Sequence, residues 1–226
     1  MGTFTLSKTN RLYWLGRYVE RAYIAIELME DAYDVSIDGS AAFDYVEYCN
    51  RLNIPADYEN VDAFLRSYLF SQRNPNSAAS ALNMALDNAV VLRETLGSMT
   101  LSYLQLAKNV MDSAKVSMAP MLDLQTILDY LMAFKGCVDD LMHDEDSRMI
   151  VKIGSTVERI DMSLRLEYQL DDLPRCFDRL ASRLQRTRIA RDGNYLRLLL
   201  DLAPDPNPIE HKELLLECME NLFPDA

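Results

Sequence analysis

Two short phrases of this sequence place a glycine, a glutamate and an arginine at the same spacing. Gly16 is followed by Glu20-Arg21, and Gly154 is followed by Glu158-Arg159. A carboxylate whose pKa is tuned by burial can act as a general base, while arginines can hold a carboxylate or phosphate substrate. The two copies are therefore candidates for a paired polar site.

Both copies lie on amphipathic helices that bury the same face. The alignment of Leu15–Leu28 with Ile153–Leu166 contains five identities in fourteen positions. The apolar stripe repeats in register, as Leu12, Leu15, Val19, Ala22 and Ile26 in the first copy and Ile150, Ile153, Val157, Ile160 and Leu164 in the second. A glycine inside a helix costs roughly 1 kcal/mol relative to alanine, so each glycine indicates a close approach. A crossing helix, a bound ion or a ligand could occupy the space beside each glutamate.

The sequence leaves two interpretations of the glutamates open. In the structural one, each is a semi-buried carboxylate paired with an arginine of the opposite copy, namely Arg159 for Glu20, and Arg21 or Arg17 for Glu158. Such pairs can set the register of a helix bundle while adding little net stability. In the functional one, the copies form a pseudo-twofold polar site.

A dinuclear metal centre is the obvious version of a carboxylate site in a helical bundle, because inward glutamates and Glu-x-x-His motifs build such centres. The only two histidines, His143 and His211, have no glutamate three positions before them. We therefore expect no metal and no cofactor.

Two further groups of residues are candidates. Arg73 and Asn74 precede a long predicted helix whose N-terminus could bind an anion, although a simple capped turn explains them equally. Residues 175–197 carry seven arginines against two aspartates in a chain of net charge −12. On a predicted helix over 175–191, one side holds Arg175, Arg179, Arg183 and Arg186. This side could meet phosphates or the acidic surface of a partner, or it could be a solvated face.

The elements that position these residues are helices, because no alternating apolar and polar run indicates a strand. We predict helices over residues 8–36, 41–52, 61–70, 77–96, 98–114, 120–142, 147–168, 175–191 and 194–201, and a last helix ending near Phe223. Asp38-Gly39 and Gly97-Ser98 are predicted breaks. The prediction is an all-α antiparallel bundle with an internal pseudo-repeat of the two Gly-x-x-x-Glu-Arg helices, in a single domain over 1–226. The helices from about residue 175 are candidates for a satellite.

The composition narrows the partners and the location. A net charge of −12 disfavours nucleic acids and acidic membranes by long-range repulsion. No uncharged stretch is longer than 13 residues, the length of Thr95–Ala107, which is too few for a bilayer span. There is no basic start with an apolar stretch typical of a secretory signal, so we expect a cytoplasmic protein. No Walker loop or Ser-His-Asp set is present, which disfavours covalent catalysis and nucleotide hydrolysis by this chain alone.

The first phrase also carries a family resemblance. The run from Tyr13 to Ala22, YWLGRYVERA, closely resembles the opening of the alpha-E domain family of bacterial all-helical proteins. The run Arg73–Ser77, together with Asp87-Asn88-Ala89 and Arg93, is similar to the second block of that family, and Gly154–Asp161 is similar to its third block.

This resemblance implies a function by association. Alpha-E proteins are commonly encoded beside, or fused to, a circularly permuted ATP-grasp protein, and ATP-grasp enzymes join activated carboxylates to amines. The resemblance therefore implies a helical accessory or co-catalytic partner of an amide or peptide ligase system, with a peptide or small carboxylate as a candidate ligand. The alternative is a stand-alone enzyme that uses Glu20 or Glu158 as the general base. The expected polar groove consists of Gly16, Arg17, Glu20, Arg21, Arg73, Asn74, Gly154, Glu158 and Arg159.

Overall fold

The computed structural model describes residues 6–37, 43–117, 120–205 and 207–223. All regular structure in these ranges is helical, which confirms the predicted all-α helical bundle. The helices are α1 Leu6–Ile37, α2 Tyr45–Leu52, α3 Val61–Phe70, α4 Ala78–Val91, α5 Arg93–Leu96, α6 Ser98–Ala114, α7 Pro120–Leu141, α8 Glu145–Leu166, α9 Leu173–Leu184, α10 Gly193–Leu202 and α11 Lys212–Asn221. None of the described helices is long and apolar enough to cross a membrane.

Most predicted boundaries agree with the structure within a few residues. The predicted break at Gly97 is present, since this glycine adopts a φ of 79° between α5 and α6. The predicted break at Asp38-Gly39 and the predicted helix start at Ala41 lie outside the described residues.

One predicted helix is wrong at its C-terminal end. The expected helix over 175–191 ends at Leu184, and residues 187–192 are not helical. In this non-helical stretch the β-branched side chains of Thr187 and Ile189 are buried, while Arg186, Arg188 and Ala190 are exposed. Burial in this alternating pattern is typical of extended chain rather than of a helix.

The chain divides into two compact units. The first contains residues 1–20 and 143–226, and the second contains residues 21–142. The single domain over 1–226 stays a prediction, and each unit is described by itself.

In the first unit, α8 is the central helix. Its predicted apolar stripe is buried, from Ile150 to Leu164, as are Leu12, Leu15 and Val19 of α1. The helix α9 packs on α8 with a face of Leu173, Cys176, Phe177, Leu180 and Leu184. The helix α11 packs on both α8 and α10. The unit therefore surrounds the second Glu-Arg helix with three other helical segments.

In the second unit, α6 and α7 form a helical hairpin, and α4 packs on α6. The buried face of α4 is rich in alanine, including Ala78, Ala81, Ala85 and Ala89. A separate aromatic cluster surrounds Phe64, whose ring centroid lies 5.2–5.9 Å from the rings of Phe43, Tyr45, Tyr48, Tyr58 and Tyr68. Among the described residues of this unit, the buried side chains are thus apolar or neutral, although one carboxylate oxygen of the half-buried Glu27 is also buried.

Candidate functional site

The two repeated glycines lie where α1 and α8 touch backbone to backbone. A Cβ atom at Gly16 would lie 2.0 Å from the carbonyl oxygen of Val151, and one at Gly154 would lie 2.1 Å from that of Tyr13. These distances are far shorter than carbon and oxygen atoms tolerate, so only glycine allows the contact. Of the three expected occupants of the space beside the glutamates, the structure contains the crossing helix.

The two helices run in the same direction at this crossing. Tyr13 and Gly16 meet Gly154 and Val151, and further along both helices Glu20 meets Arg159. The Ser155 hydroxyl bridges the helices by donating to the carbonyl oxygen of Gly16 at 3.2 Å. Because α1 and α8 are far apart in the chain, no tight hairpin forces them to be antiparallel.

Each glutamate accepts hydrogen bonds from an arginine of the other helix. Arg17 Nε donates to Glu158 Oε2 at 2.6 Å, and Arg159 Nε donates to Glu20 Oε1 at 2.7 Å. Glu158 is 0% exposed and Glu20 is 3% exposed. The structure therefore contains the cross-paired arrangement of the structural interpretation.

The two pairs are not equivalent. Arg159 directly follows Glu158, whereas Arg17 comes three residues before Glu20, where the second copy has Ser155. Arg17 also lies under an aromatic surface, with its guanidinium carbon 5.1 Å from the Trp14 ring centroid. Its side chain is 12% exposed, against 24% for that of Arg159. The Arg17–Glu158 pair is thus the more deeply buried of the two.

Burial and charge shift the proton affinities around this pair. Burial alone would lower the pKa of Arg17, but the Glu158 carboxylate outweighs it and raises that pKa, so the guanidinium remains charged. Burial, partly opposed by Arg17, raises the pKa of Tyr13 to about 12. Burial and the nearby Glu158 charge raise the pKa of Asp161, although Arg165 opposes the shift.

Asp161 begins a second polar chain that the sequence reasoning missed. Arg165 donates to Asp161 through Nε at 3.0 Å and to Glu220 of α11 through Nη2 at 2.8 Å. Lys212 of α11 also donates to Glu167 and to the carbonyl oxygen of Arg165. The spacing of Asp161 and Arg165, four residues apart on one helix face, was the available sequence signal.

The chemistry open to these carboxylates is limited by their enclosure. A general base must reach the proton that it removes, but Glu158 is fully buried and Glu20 is only 3% exposed. Within the described residues, no three His, Cys, Asp or Glu side chains are grouped in a way that could hold a metal ion.

Three residues of the expected groove belong to the second unit, namely Arg21, Arg73 and Asn74. The Asn74 amide donates to Tyr58 Oη and to Ser67 Oγ, both at 3.2 Å, and its oxygen accepts from the backbone N–H of Asn76. Ser77 is the N-cap of α4. These bonds favour the capped-turn interpretation for Asn74, while Arg73 is exposed.

The four arginines of the expected anion-binding side have different environments. Arg175 and Arg179 are exposed on α9, but Arg183 donates to the carbonyl oxygen of Lys152 at 2.9 Å and to the Thr156 hydroxyl. Arg186 lies beyond the end of the helix. Arg183 therefore joins α9 to α8 by hydrogen bonds. The sequence did not indicate this role.

Comparisons with known proteins give one match. A family model described as "a predicted alpha-helical domain with a conserved ER motif" matches residues 6–203. The chain contains two Glu-Arg pairs, and both lie within the matched range. No curated protein and no solved structure matches the chain.

Proposed function

Because this chain belongs to the Alpha-E family, we propose that it is the helical accessory or co-catalytic partner of an ATP-grasp-type amide or peptide ligase system. The support from the family is its expected association with ATP-grasp proteins, which activate carboxylates and join them to amines. The proposal includes a cytoplasmic location and a peptide or small carboxylate as the ligand of the complex.

One observation favours a partner over a stand-alone enzyme. The two glutamates of the Glu-Arg phrases are enclosed at a helix crossing and accept hydrogen bonds from Arg17 and Arg159. A carboxylate used in this way sets the register of two helices and has no open side for a substrate. The glutamates therefore support a rigid scaffold, and the ligase supplies the chemistry.

The first experiment tests the partnership itself. The chain is co-expressed with an ATP-grasp protein of the same genome, and the complex is isolated through a tag on the ligase. We expect the two proteins to co-purify and the ATP-dependent ligation rate to fall when this chain is omitted. No complex, together with an unchanged ligation rate, would contradict the proposal.

A second experiment separates the proposal from the general-base alternative. The variants Glu20→Gln and Glu158→Gln keep the side-chain shape but remove the carboxylate, and Glu94→Gln, at an exposed position on α5, is the matched control. We expect Glu20→Gln and Glu158→Gln to unfold at a lower temperature than the wild type. The more destabilised variant should also form less of the complex with the ligase. A variant that keeps its fold and its complex but loses all ligation activity would instead favour chemistry at that glutamate.

A further inference from the structure

A line of exposed arginines follows α9 and the chain beyond it. We define the basic strip as Arg175, Arg179, Arg186 and Arg188, all of which are exposed. On α9, Arg175 and Arg179 lie opposite the buried face that contains Cys176 and Leu180. The strip therefore lies on the solvent side of the first unit.

The chain that presents Arg186 and Arg188 is held in place although it is not helical. Thr187 and Ile189 alternate with the two arginines and are each 7% exposed. Arg191 Nη1 donates to the carbonyl oxygens of both buried residues at 3.4 Å, and the N–H of Asp192 donates to the carbonyl oxygen of Leu222 at 2.9 Å. A segment fixed in this way presents its arginines with little ordering cost on binding.

The strip is also connected to the Glu-Arg crossing, the contact between α1 and α8 at Gly16, Gly154 and the two ion pairs. Arg183 joins α9 to α8 through the carbonyl oxygen of Lys152 and the hydroxyl of Thr156. Thr156 lies two residues before Glu158, whose carboxylate pairs with Arg17. The contact between α1 and α8 therefore stabilises the position of α8. The helix α9, which carries Arg175 and Arg179 of the strip, packs on α8.

The charge of the strip is almost uncompensated within the described chain. Arg175 has Asp172 at 3.9 Å, and both side chains are largely exposed, so this pair adds little. The other three arginines of the strip form no ion pair with any described residue. They lie in a chain with 35 acidic residues and a net charge of −12, where acidic partners are plentiful.

The length and charge of the strip favour a protein surface over a single phosphate group or a nucleic acid as its partner. Arg175 and Arg179 lie about 6 Å apart along α9 at about 1.5 Å per residue, and Arg186 lies beyond the end of the helix, which is about 14 Å from Arg175. The strip is therefore longer than one phosphate group. A nucleic acid would be repelled at long range by the rest of the molecule. A protein surface with a localised acidic patch matches a short, fixed line of arginines, because arginine is suited to carboxylates and is enriched at interfaces.

We propose that the basic strip is the surface on which an acidic patch of the partner ligase docks. This inference rests on the proposed function, and it adds which side of this chain meets the partner. In this arrangement the partner contacts the exposed side of α9. The buried Glu-Arg pairs do not contact the partner, and they stabilise the helices on which α9 packs.

The test compares two double charge reversals in the full chain. Arg186→Glu with Arg188→Glu changes the strip, and Arg66→Glu with Arg93→Glu makes the same change of charge at exposed arginines of the second unit. Binding to the immobilised ATP-grasp protein is measured at low and at moderate salt. We expect the strip variant to bind roughly tenfold or more weakly and to show a smaller salt dependence, while the control binds like the wild type.

The outcomes separate this inference from the proposed function. If the wild type binds and the strip variant binds equally well, the docking surface is wrong and the partnership stands. If the wild type does not bind the ligase at all, both proposals fail. A strip variant that keeps ligase binding but loses self-association, or loses binding to a DNA duplex used as a probe, would overturn the inference in favour of that other partner.

Discussion

The cores of the two units of this protein bury different kinds of side chain. The first unit buries carboxylates, including Glu20, Glu158 and Asp161, and neutralises them with arginines. In the described part of the second unit no charged residue is buried to that degree. Its buried polar residues are Ser77, Ser80 and Thr100, and one carboxylate oxygen of the half-buried Glu27 is also buried. The second unit relies instead on packed rings around Phe64 and on alanines along α4.

The difference shows what each kind of core can provide. Aromatic burial gives stability that depends on area and little on partner identity. Buried ion pairs add little net stability, because desolvation offsets the Coulombic gain, but removing one partner is costly. The first unit therefore has a core that penalises any other register of α1 on α8, and this supports a surface of defined shape on α9.

The largest expected effect comes from removing one partner of the deepest pair. Arg17→Met leaves the fully buried Glu158 without this arginine and should lower the free energy of unfolding by about 3–5 kcal/mol. Urea unfolding followed by the fluorescence of Trp14, the single tryptophan, reports on the first unit. The double variant Arg17→Met with Glu158→Met should recover most of the loss.

The matched control for this prediction is the exposed Arg51–Glu47 pair of the second unit. Arg51→Met should change stability by at most about 0.5 kcal/mol. If Arg17→Met and Arg51→Met lowered the free energy of unfolding equally, the buried pair of the first unit would matter no more than an exposed pair.

The glycines give the next effect, with opposite signs in the two units. Gly16→Ala places a methyl group against the carbonyl oxygen of Val151 and should destabilise by about 3 kcal/mol, at the upper end of the usual range for overpacking. In α7 of the second unit, a Cβ at Gly136 would meet nothing within 4 Å, so Gly136→Ala should stabilise by roughly 0.5–1 kcal/mol. Thermal unfolding of both variants checks the sign, and a stabilising Gly16→Ala would show that the crossing is looser than described.

Acidity should affect the first unit through Asp161. Its folded-state pKa is raised, so its contribution to stability is fully present below its ordinary value of 3.8 and is lost as the pH rises through the raised pKa. Asp161→Asn stays uncharged, and its stability relative to the wild type should therefore increase as the pH rises above about 4. Parallel stability curves for the two proteins over this range would contradict the raised pKa.

The smallest effect is expected in the aromatic cluster. Tyr48 donates from its hydroxyl to the Tyr68 hydroxyl at 3.0 Å, so Tyr48→Phe removes one neutral hydrogen bond and keeps the ring. The cost should be about 1 kcal/mol. Far-UV circular dichroism during urea unfolding measures it, and a loss as large as that of Arg17→Met would mean that the second core also depends on polar pairing.

Several features could be predicted because they depend on local pattern. The apolar stripes of α1 and α8 are visible as helical periodicity, and every described position of the α8 stripe is buried. The glycines stood out because a helix interior disfavours them without a compensating contact. The capped turn at Arg73 and Asn74 could be predicted because the capping residue and the following helix are adjacent in sequence.

The C-terminal end of α9 could not be predicted in the same way. The arginine spacing continues helically past Leu184, and local propensity does not oppose a helix there. The helix ends because Thr187 and Ile189 bury their side chains in the first unit. Burial of these two side chains overrides local preference, and Arg186 lies beyond the helix end.

The sequence by itself determined that this protein is helical, which face of α1 and of α8 is buried, and that two glycines precede two Glu-Arg pairs at the same spacing. These properties follow from composition and from the period of one helix. Only the tertiary structure decided that the glycines admit the opposite helix, that α1 and α8 run in the same direction, and that Glu158 pairs with Arg17. The physical reason is distance along the chain: the paired residues are 139 and 141 positions apart, so their pairing depends on packing rather than on local spacing.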